Sequence, residues 1–546
     1  MEIGVAYYPE RQNPDMWPKH FELMRNAGIK RIRIGEFAWA VMEPDEGQFC
    51  WDWLDEVIDL AGQYDIGVVL CTPTATPPIW LVEKYPDVLP VNKYGQRLVF
   101  GKRQHRCYNS PSYNKYSAII VEALGKRYGS HPNVVAWQLD NELGGELKQC
   151  FCENCAKTFR QELELKYKTI DELNKRWGTT FWSQNYQRFD QIPVPLAIDP
   201  ELLMRHHPSL ELEFARFSSQ SIVRFCRMQA KILRKYTNAP ITTNTDTFLF
   251  GDNVNLVELF RDLDIGGIDV YSQDLNEISF YSDFMASLKD GRFWMMEYGV
   301  NSPNLYNEMK LLQNHGCEWL YFFTFNPFPA GQEQGEGKMV NGILTLTGQT
   351  TPTYHTIRQW TCDNVTQEEE GIQNKKDCDI GVYYHFDSSW VYFIASWAKE
   401  IVEKQIYPRY LKDTVYRSLY EEKLPMRFVF SPEEIKGLKL LILPMQIIYD
   451  PQLEEALISF VQQGGKLIVT EDLFRKNQDN VYLTYVPKIF SVLFDHREND
   501  FIRPARNKGD FVIKSNPVNE GYVWMVRQDG TLEDWRSLTR SIMSNK

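Results

Sequence analysis

From the first residue to about residue 325, short apolar runs alternate with amphipathic helical patterns, and no other feature limits the possible folds so sharply. A short run of continuous apolar residues suits a parallel strand covered on both faces, and the helix after it returns the chain to the same edge of the sheet. The first run is Ile3 to Tyr8, followed by Trp17, Phe21 and Met24 at helical spacing, with Gly28 as a stop. Ile32 to Phe37 comes next, and its helix carries Leu54, Val57, Ile58 and Ala61 with Gly62 after them. Val68 to Cys71, Val134 to Leu139, Ile241 to Asn244, Ile265 to Tyr271, Phe293 to Glu297 and Trp319 to Phe325 bring the total to about eight. That number closes a (β/α)8 barrel. An open doubly wound sheet often carries a glycine-rich phosphate loop after an early strand; none follows here, which favours the barrel.

Two interruptions divide the chain. Residues from about 150 to 240 are too long for a barrel connection and read as a helical, cysteine-rich insertion above the strand ends. The polar run Thr366 to Asp379 reads as a linker. Beyond it, Ile380 to Tyr384, Leu440 to Pro444, a helix near Leu453 to Gln463 and Lys466 to Thr470 give the βαβ pattern of a small three-layer domain. The expected division is a barrel over 1–368, an α/β domain over 380–497 and a short C-terminal β-containing segment over 498–546, with strand-like runs at Phe511 to Ile513 and Tyr522 to Val526.

Composition narrows the partners. Lys and Arg number 60 against 72 Asp and Glu, a net charge of −12, which repels phosphate backbones and anionic membrane surfaces. No run of about 18 apolar residues suggests a membrane span, and the opening Met1-Glu2-Ile3-Gly4 lacks a signal-peptide pattern, so a cytoplasmic location is expected. The 15 Trp and 29 Tyr supply flat faces suited to sugar rings.

Two carboxylates end separate strands: Trp137-Gln138-Leu139-Asp140-Asn141-Glu142 after the fourth, and Trp294-Met295-Met296-Glu297-Tyr298 at the seventh. In a barrel both project at the C-terminal face, where catalytic groups gather. A facing pair is what glycoside hydrolysis requires, one carboxyl protonated as acid and the other ionised as nucleophile. Asn141 beside the acid can donate to a sugar 2-hydroxyl.

With these strings in view, the sequence resembles family 42 of the glycoside hydrolases, chiefly β-galactosidases. Gly4-Val5-Ala6-Tyr7-Tyr8-Pro9-Glu10, Arg33-Ile34-Gly35-Glu36-Phe37-Ala38-Trp39, Thr72-Pro73-Thr74-Ala75-Thr76-Pro77-Pro78, Trp137 to Glu142 and Phe181-Trp182-Ser183-Gln184 carry the resemblance. It implies Glu142 as acid/base and Glu297 as nucleophile, and a barrel followed by a flavodoxin-like domain that joins subunits into trimers. It also implies that Arg103, Asn141 and Tyr271 meet the terminal sugar of an oligosaccharide, with Trp182, from the same or a neighbouring subunit, closing the pocket. No catalytic cofactor is implied.

The chain departs from the family after Glu297. Gly299 to Asn304 is short and lacks the usual Trp, the eighth strand reads Tyr321-Phe322-Phe323-Thr324-Phe325, and a Glu and His three residues apart become Glu333-Gln334-Gly335-Glu336. Glu333 can still accept from sugar hydroxyls, but the change opens the choice of sugar to β-glucoside, β-mannoside or α-L-arabinopyranoside. A barrel that binds carbohydrate without hydrolysing it is a further alternative.

Cys150-Phe151-Cys152-Glu153-Asn154-Cys155 places three thiols in six residues, and Cys107 lies in the loop after the third strand. Four thiolates enclose a zinc ion tetrahedrally and leave no open position, so a structural zinc is expected, with free thiols or a disulfide as alternatives and His105 as a substitute ligand. Arg33 and Glu36 form either a buried ion pair that orients a neighbour or a substrate contact. Gly464-Gly465-Lys466 lacks the rest of a phosphate loop and reads as a helix end feeding a strand.

Overall fold

A computed structural model describes residues 1–198, 206–247, 254–328, 330–331, 341–364, 378–394, 406–495 and 510–544. The chain forms two compact units, one of Met1–Asn154, Ser218–Leu249 and Asn253–Gln373, the other of Cys155–Phe217, Phe250–Asp252 and Asn374–Lys546.

The first unit is a parallel barrel. Its strands are β1 Glu2–Ala6, β2 Arg31–Ile34, β3 Gly67–Cys71, β4 Val134–Gln138, β5 Ile241–Thr242, β6 Gly266–Val270, β7 Phe293–Gly299 and β8 Cys317–Phe323. They are hydrogen-bonded in the order β5-β4-β3-β2-β1-β8-β7-β6. The remaining seam closes just past β5, where Thr245 N–H donates to Gly267 O and Asp269 N–H donates to Thr245 O. Only glycine fits at 267, because a Cβ there would lie 2.2 Å from the Thr243 carbonyl oxygen. The interior holds a buried cluster of Val69, Ala136, Ile265, Trp294, Met296 and Tyr321, drawn from β3, β4, β7, β8 and the residue before β6.

The first two helices follow their apolar spacing. Trp17–Ala27 buries Trp17, Phe21 and Met24 and ends at Gly28 in the left-handed region at φ 77°. Asp52–Gln63 buries Leu54, Val57, Ile58 and Ala61 and continues one residue beyond Gly62. The helices of the long interruption, Glu153–Tyr167, Ile170–Trp177 and Pro208–Leu233, are present, and Cys155–Phe217 clusters with the second unit. The linker read at Thr366 to Asp379 falls, except for its last two residues, outside the described residues.

The second unit is a six-stranded sheet of order β10-β9-β11-β12-β14-β13. Its strands are β9 Ile380–Tyr383, β10 Met426–Val429, β11 Leu440–Leu443, β12 Lys466–Thr470, β13 Val512–Val518 and β14 Gly521–Val526. The second-first-third-fourth order of β9 to β12 is that of flavodoxin-like folds. Helix Pro451–Gln462, capped by Asp450 accepting from Gln452 and Leu453 N–H, buries Leu453, Leu457 and Val461 in the core. The C-terminal strands join this sheet, β14 parallel to β12 and β13 antiparallel to β14.

Candidate active site

The ends of β4, β5, β6 and β7 converge on one buried cluster. Glu142 lies four residues beyond β4 on a tight turn in which both Asp140 (φ 56°) and Glu142 (φ 45°) are left-handed, an unusual conformation for these residues. Side chains pin that turn from two sides. Gln104 Nε2 donates to the carbonyls of Asn141 and Glu142, both at 2.9 Å, and the Glu142 N–H donates to Asn244 Oδ1 at 3.0 Å. Asp140 is itself braced by Arg106 at 2.7 Å.

Glu297 sits within β7, where the strand slips by one residue against both β6 and β8 between Met295 and Tyr298. Arg33 Nη2 bridges Glu36 at 2.9 Å and Glu297 Oε1 at 2.6 Å, while Arg33 Nη1 donates to the Met296 carbonyl. The Tyr271 hydroxyl donates to Glu297 Oε2 at 2.5 Å, and the Tyr8 hydroxyl donates to Glu36. Arg33 and Glu36 are fully buried, so this pair orients a neighbour, and the neighbour is Glu297.

Carboxylate oxygens of Glu142, Glu297 and Asp269 all lie within 4.8 Å of one another. Glu142 is 5% exposed and Glu297 3%. Burial pushes the Glu142 carboxyl up to about 8; Arg103 opposes the rise, and the charges of Glu297 and Asp246 add to it. Burial, followed by the two glutamates, also holds the Asp269 carboxyl well above the usual range.

Arg103 meets Glu142 Oε2 at 2.8 Å and Glu146 at 2.7 Å. Asn141 Nδ2 donates to Glu142 Oε2 at 3.3 Å. Tyr271 points its hydroxyl inward and leaves 54% of its surface exposed. Its ring meets Phe323 edge-on, next to the buried Tyr8 and Phe328 and the half-buried Phe37. A cleft of about 180 Å³ lies beside the end of β7, lined by Tyr271, Gln273, Gly299, Asn301, Phe323 and Asn341. Thus Glu142, Glu297, Arg103, Asn141 and Tyr271 share one place. Trp182 belongs to the second unit, where it is 66% exposed and stacked on Phe181. Glu333 and Glu336 lie outside the described residues.

Sequence reasoning missed Asn244, Asp269 and Gln104. A signal existed for two of them: Asn244 is a polar residue just past a strand end, and Asp269 stands two residues before Tyr271, on the same face of its strand.

The Sγ atoms of Cys107, Cys150, Cys152 and Cys155 also lie within 4.8 Å of one another, with Cys107 and Cys152 at 3.6 Å. Tetrahedral zinc with bonds of ~2.3 Å separates its sulfurs by about 3.8 Å, so the thiols fit that ion. Backbone N–H groups of Val91 and Asn109 point at Cys150 and Cys107, as suits thiolates. His105 is not part of the group, and its Nδ1 faces the Lys102 carbonyl.

Comparison with known proteins agrees with this geometry. Residues 6–361 match the glycoside hydrolase 42 family model, described as β-galactosidase, and residues 379–501 match a β-galactosidase trimerisation domain. Beta-galactosidase BgaA of Clostridium cellulovorans is 34% identical over 506 residues, covering 88% of this chain and 74% of that one. Beta-galactosidase bgaB of Geobacillus kaustophilus is 33% identical over 490 residues, covering 86% and 70%. Among solved structures, the β-galactosidase of the Antarctic haloarchaeon Halorubrum lacusprofundi superposes with a TM-score of 0.88 at 26% identity, covering all of this chain and 89% of that one. The chain therefore belongs to family 42 of the glycoside hydrolases, the β-galactosidase family.

Proposed function

We propose that this enzyme is a retaining, exo-acting β-galactosidase that removes terminal β-D-galactosyl residues from oligosaccharides by double displacement. The observation that carries the reading is the approach of the Glu142 and Glu297 carboxylates to within 4.8 Å. Retaining enzymes hold their carboxyls about 5–5.5 Å apart, whereas inverting ones leave about 6.5–9.5 Å for a water.

In the first step Glu297 attacks the anomeric carbon, the glycosidic bond breaks, and Glu142 gives its proton to the departing oxygen. Arg33 and Tyr271 hold the attacking carboxylate in line. The product is a galactosyl ester of Glu297. Esterification removes the Glu297 charge that helps keep Glu142 protonated, so Glu142 can then take a proton from water. That water attacks the same carbon and releases galactose with its configuration retained. Asn141 donates to the 2-hydroxyl, Arg103 donates to and Glu333 accepts from other hydroxyls, and Trp182 of a neighbouring subunit closes the pocket. The exposed ring of Tyr271 and the half-buried ring of Phe323, which both line the cleft, offer apolar surface to the sugar.

A panel of 4-nitrophenyl glycosides tests the sugar. Galactoside turned over at least ~10-fold faster than glucoside, mannoside and α-L-arabinopyranoside supports this reading, and a preference for another member replaces the sugar while leaving the chemistry in place. Absence of turnover on every member would favour a protein that only binds carbohydrate.

Cys107, Cys150, Cys152 and Cys155 would hold a structural zinc, which fixes the loops after β3 and β4 and takes no part in the reaction. Metal analysis should find about one zinc per chain, and stripping it should lower the melting temperature by several degrees. The second sheet would join three copies into a trimer, in line with the trimerisation-domain match. Ten cysteines with no disulfide among them suit a reducing cytoplasm.

A further inference from the structure

We infer that Asn244 is a positioning residue whose single amide holds the proposed acid and the sugar-binding Asn141 in register, one through each half of its side chain; the inference rests on the function proposed above. The carbonyl half, Oδ1, accepts from the Glu142 backbone N–H at 3.0 Å and from Gln138 Nε2 at 3.1 Å. The amino half, Nδ2, donates to Asp269 Oδ2 at 2.6 Å and to Asn141 Oδ1 at 2.9 Å, with a longer approach to Glu297 Oε1 at 3.4 Å. Asn244 is fully buried, so water does not compete for these groups.

The orientation of the amide follows from its partners. A backbone N–H can only donate, and a flipped amide would turn its amino group toward the Glu142 N–H and its oxygen toward the Asp269 and Glu297 carboxylates. Each half then has a separate consequence. Oδ1 anchors the left-handed Glu142 residue, whose carboxyl must sit over the leaving oxygen. Nδ2 occupies the Asn141 carbonyl oxygen, which leaves the Asn141 amino group directed at Glu142 Oε2 and the sugar side. Asp269 keeps Nδ2 in place: it takes the shortest of these bonds, and its other oxygen has no hydrogen-bond partner among the described residues.

Substrate changes separate these effects from a loss of fold. The purified full-length chain and its Asn244→Ala and Asn244→Asp variants are assayed on phenyl, 2,4-dinitrophenyl and 2-deoxy-galactosyl substrates. In Asn244→Ala, turnover of the phenyl galactoside, which needs a proton on its leaving group, should fall about 10²-fold. The loss should lie in kcat more than KM, and the dinitrophenyl substrate should lose less than about a tenth as much. Asn244→Asp keeps the oxygen that anchors Glu142 and loses the donors to Asn141. It should therefore gain little leaving-group dependence, but the rate penalty for removing the 2-hydroxyl should shrink by ~10-fold, because Asn141 is no longer aimed. Any uniform effect of the added acid cancels in that ratio. One common factor of loss on all substrates in both variants, or wild-type rates, would overturn the inference. Glu142→Ala and Glu297→Ala run beside them on the phenyl galactoside: if both turn it over at wild-type rates the function itself is wrong, and if both lose that activity the Asn244 results stand alone.

Discussion

Glu142 stands on a left-handed turn four residues beyond β4, whereas Glu297 lies inside β7, and the two are braced by different kinds of partner. The cation at Glu297, Arg33, is fully buried and shared with Glu36. The cation at Glu142, Arg103, has 31% of its side chain exposed and is shared with Glu146. The proposed nucleophile must stay charged and aligned, which suits a side chain on a strand of the sheet held by a buried arginine. An acid must exchange its proton twice per turnover, which suits a carboxyl in a desolvated turn whose counter-charge is partly solvated. Paired carboxyls become distinguishable by such contrasts in their surroundings.

Removing each carboxyl in turn is the most severe way to break this contrast. Glu297→Ala should lose on the order of 10⁴-fold or more in kcat/KM on every aryl galactoside. Azide should restore turnover with an α-galactosyl azide as product, because the small anion attacks from the face that Glu297 vacates. Glu142→Ala should lose ~10²–10⁴-fold on substrates with poor leaving groups and far less on 2,4-dinitrophenyl galactoside, and azide should give the β-azide. Product anomers by NMR decide the matter, and the same anomer from both variants would mean that the roles have been misassigned.

The contrast was only half legible in the sequence. Both glutamates could be singled out because each follows a tryptophan-containing apolar run that ends a strand, so topology alone places them at one face. The barrel was legible for the same reason, since its strands are apolar on both faces. The braces were not. Asn244 follows a strand of only Ile241–Thr242, and its partners Gln138, Asn141, Glu142, Asp269 and Glu297 come from three other strand ends, a meeting that no local spacing encodes. β10, Met426–Val429, escaped notice because a four-residue strand after Leu424-Pro425 has little pattern to show. The placement of β13 and β14 in the second sheet is likewise a long-range pairing.

Exchanging the arginines should sharpen the comparison with a smaller effect. Arg33→Met leaves Glu36 and Glu297 buried without the cation between them, and should cost about 3–5 kcal/mol of stability as well as most of the activity. Arg103→Met removes a cation that solvent partly screens, so its cost in unfolding should stay below about 1 kcal/mol while KM rises. Denaturant midpoints measured at one pH compare the two, and equal losses would show that the difference in burial has no energetic consequence.

The smallest effect is a shift in pH dependence. The proposed acid works only when protonated, and burial raises the Glu142 carboxyl to about 8, so kcat/KM should be level below that pH on its alkaline side and fall about tenfold per unit above it. Arg103 opposes the rise by favouring the charged form. Taking Arg103 away therefore raises the carboxyl further, and the alkaline limb of Arg103→Met should move to higher pH even though the variant is slower overall. The 2,4-dinitrophenyl substrate supplies the control, because a leaving group that needs no proton should show a weaker alkaline limb in both proteins. A limb that moved to lower pH on loss of Arg103 would mean that the arginine governs some other group, and that Glu142 is not the residue whose deprotonation ends catalysis.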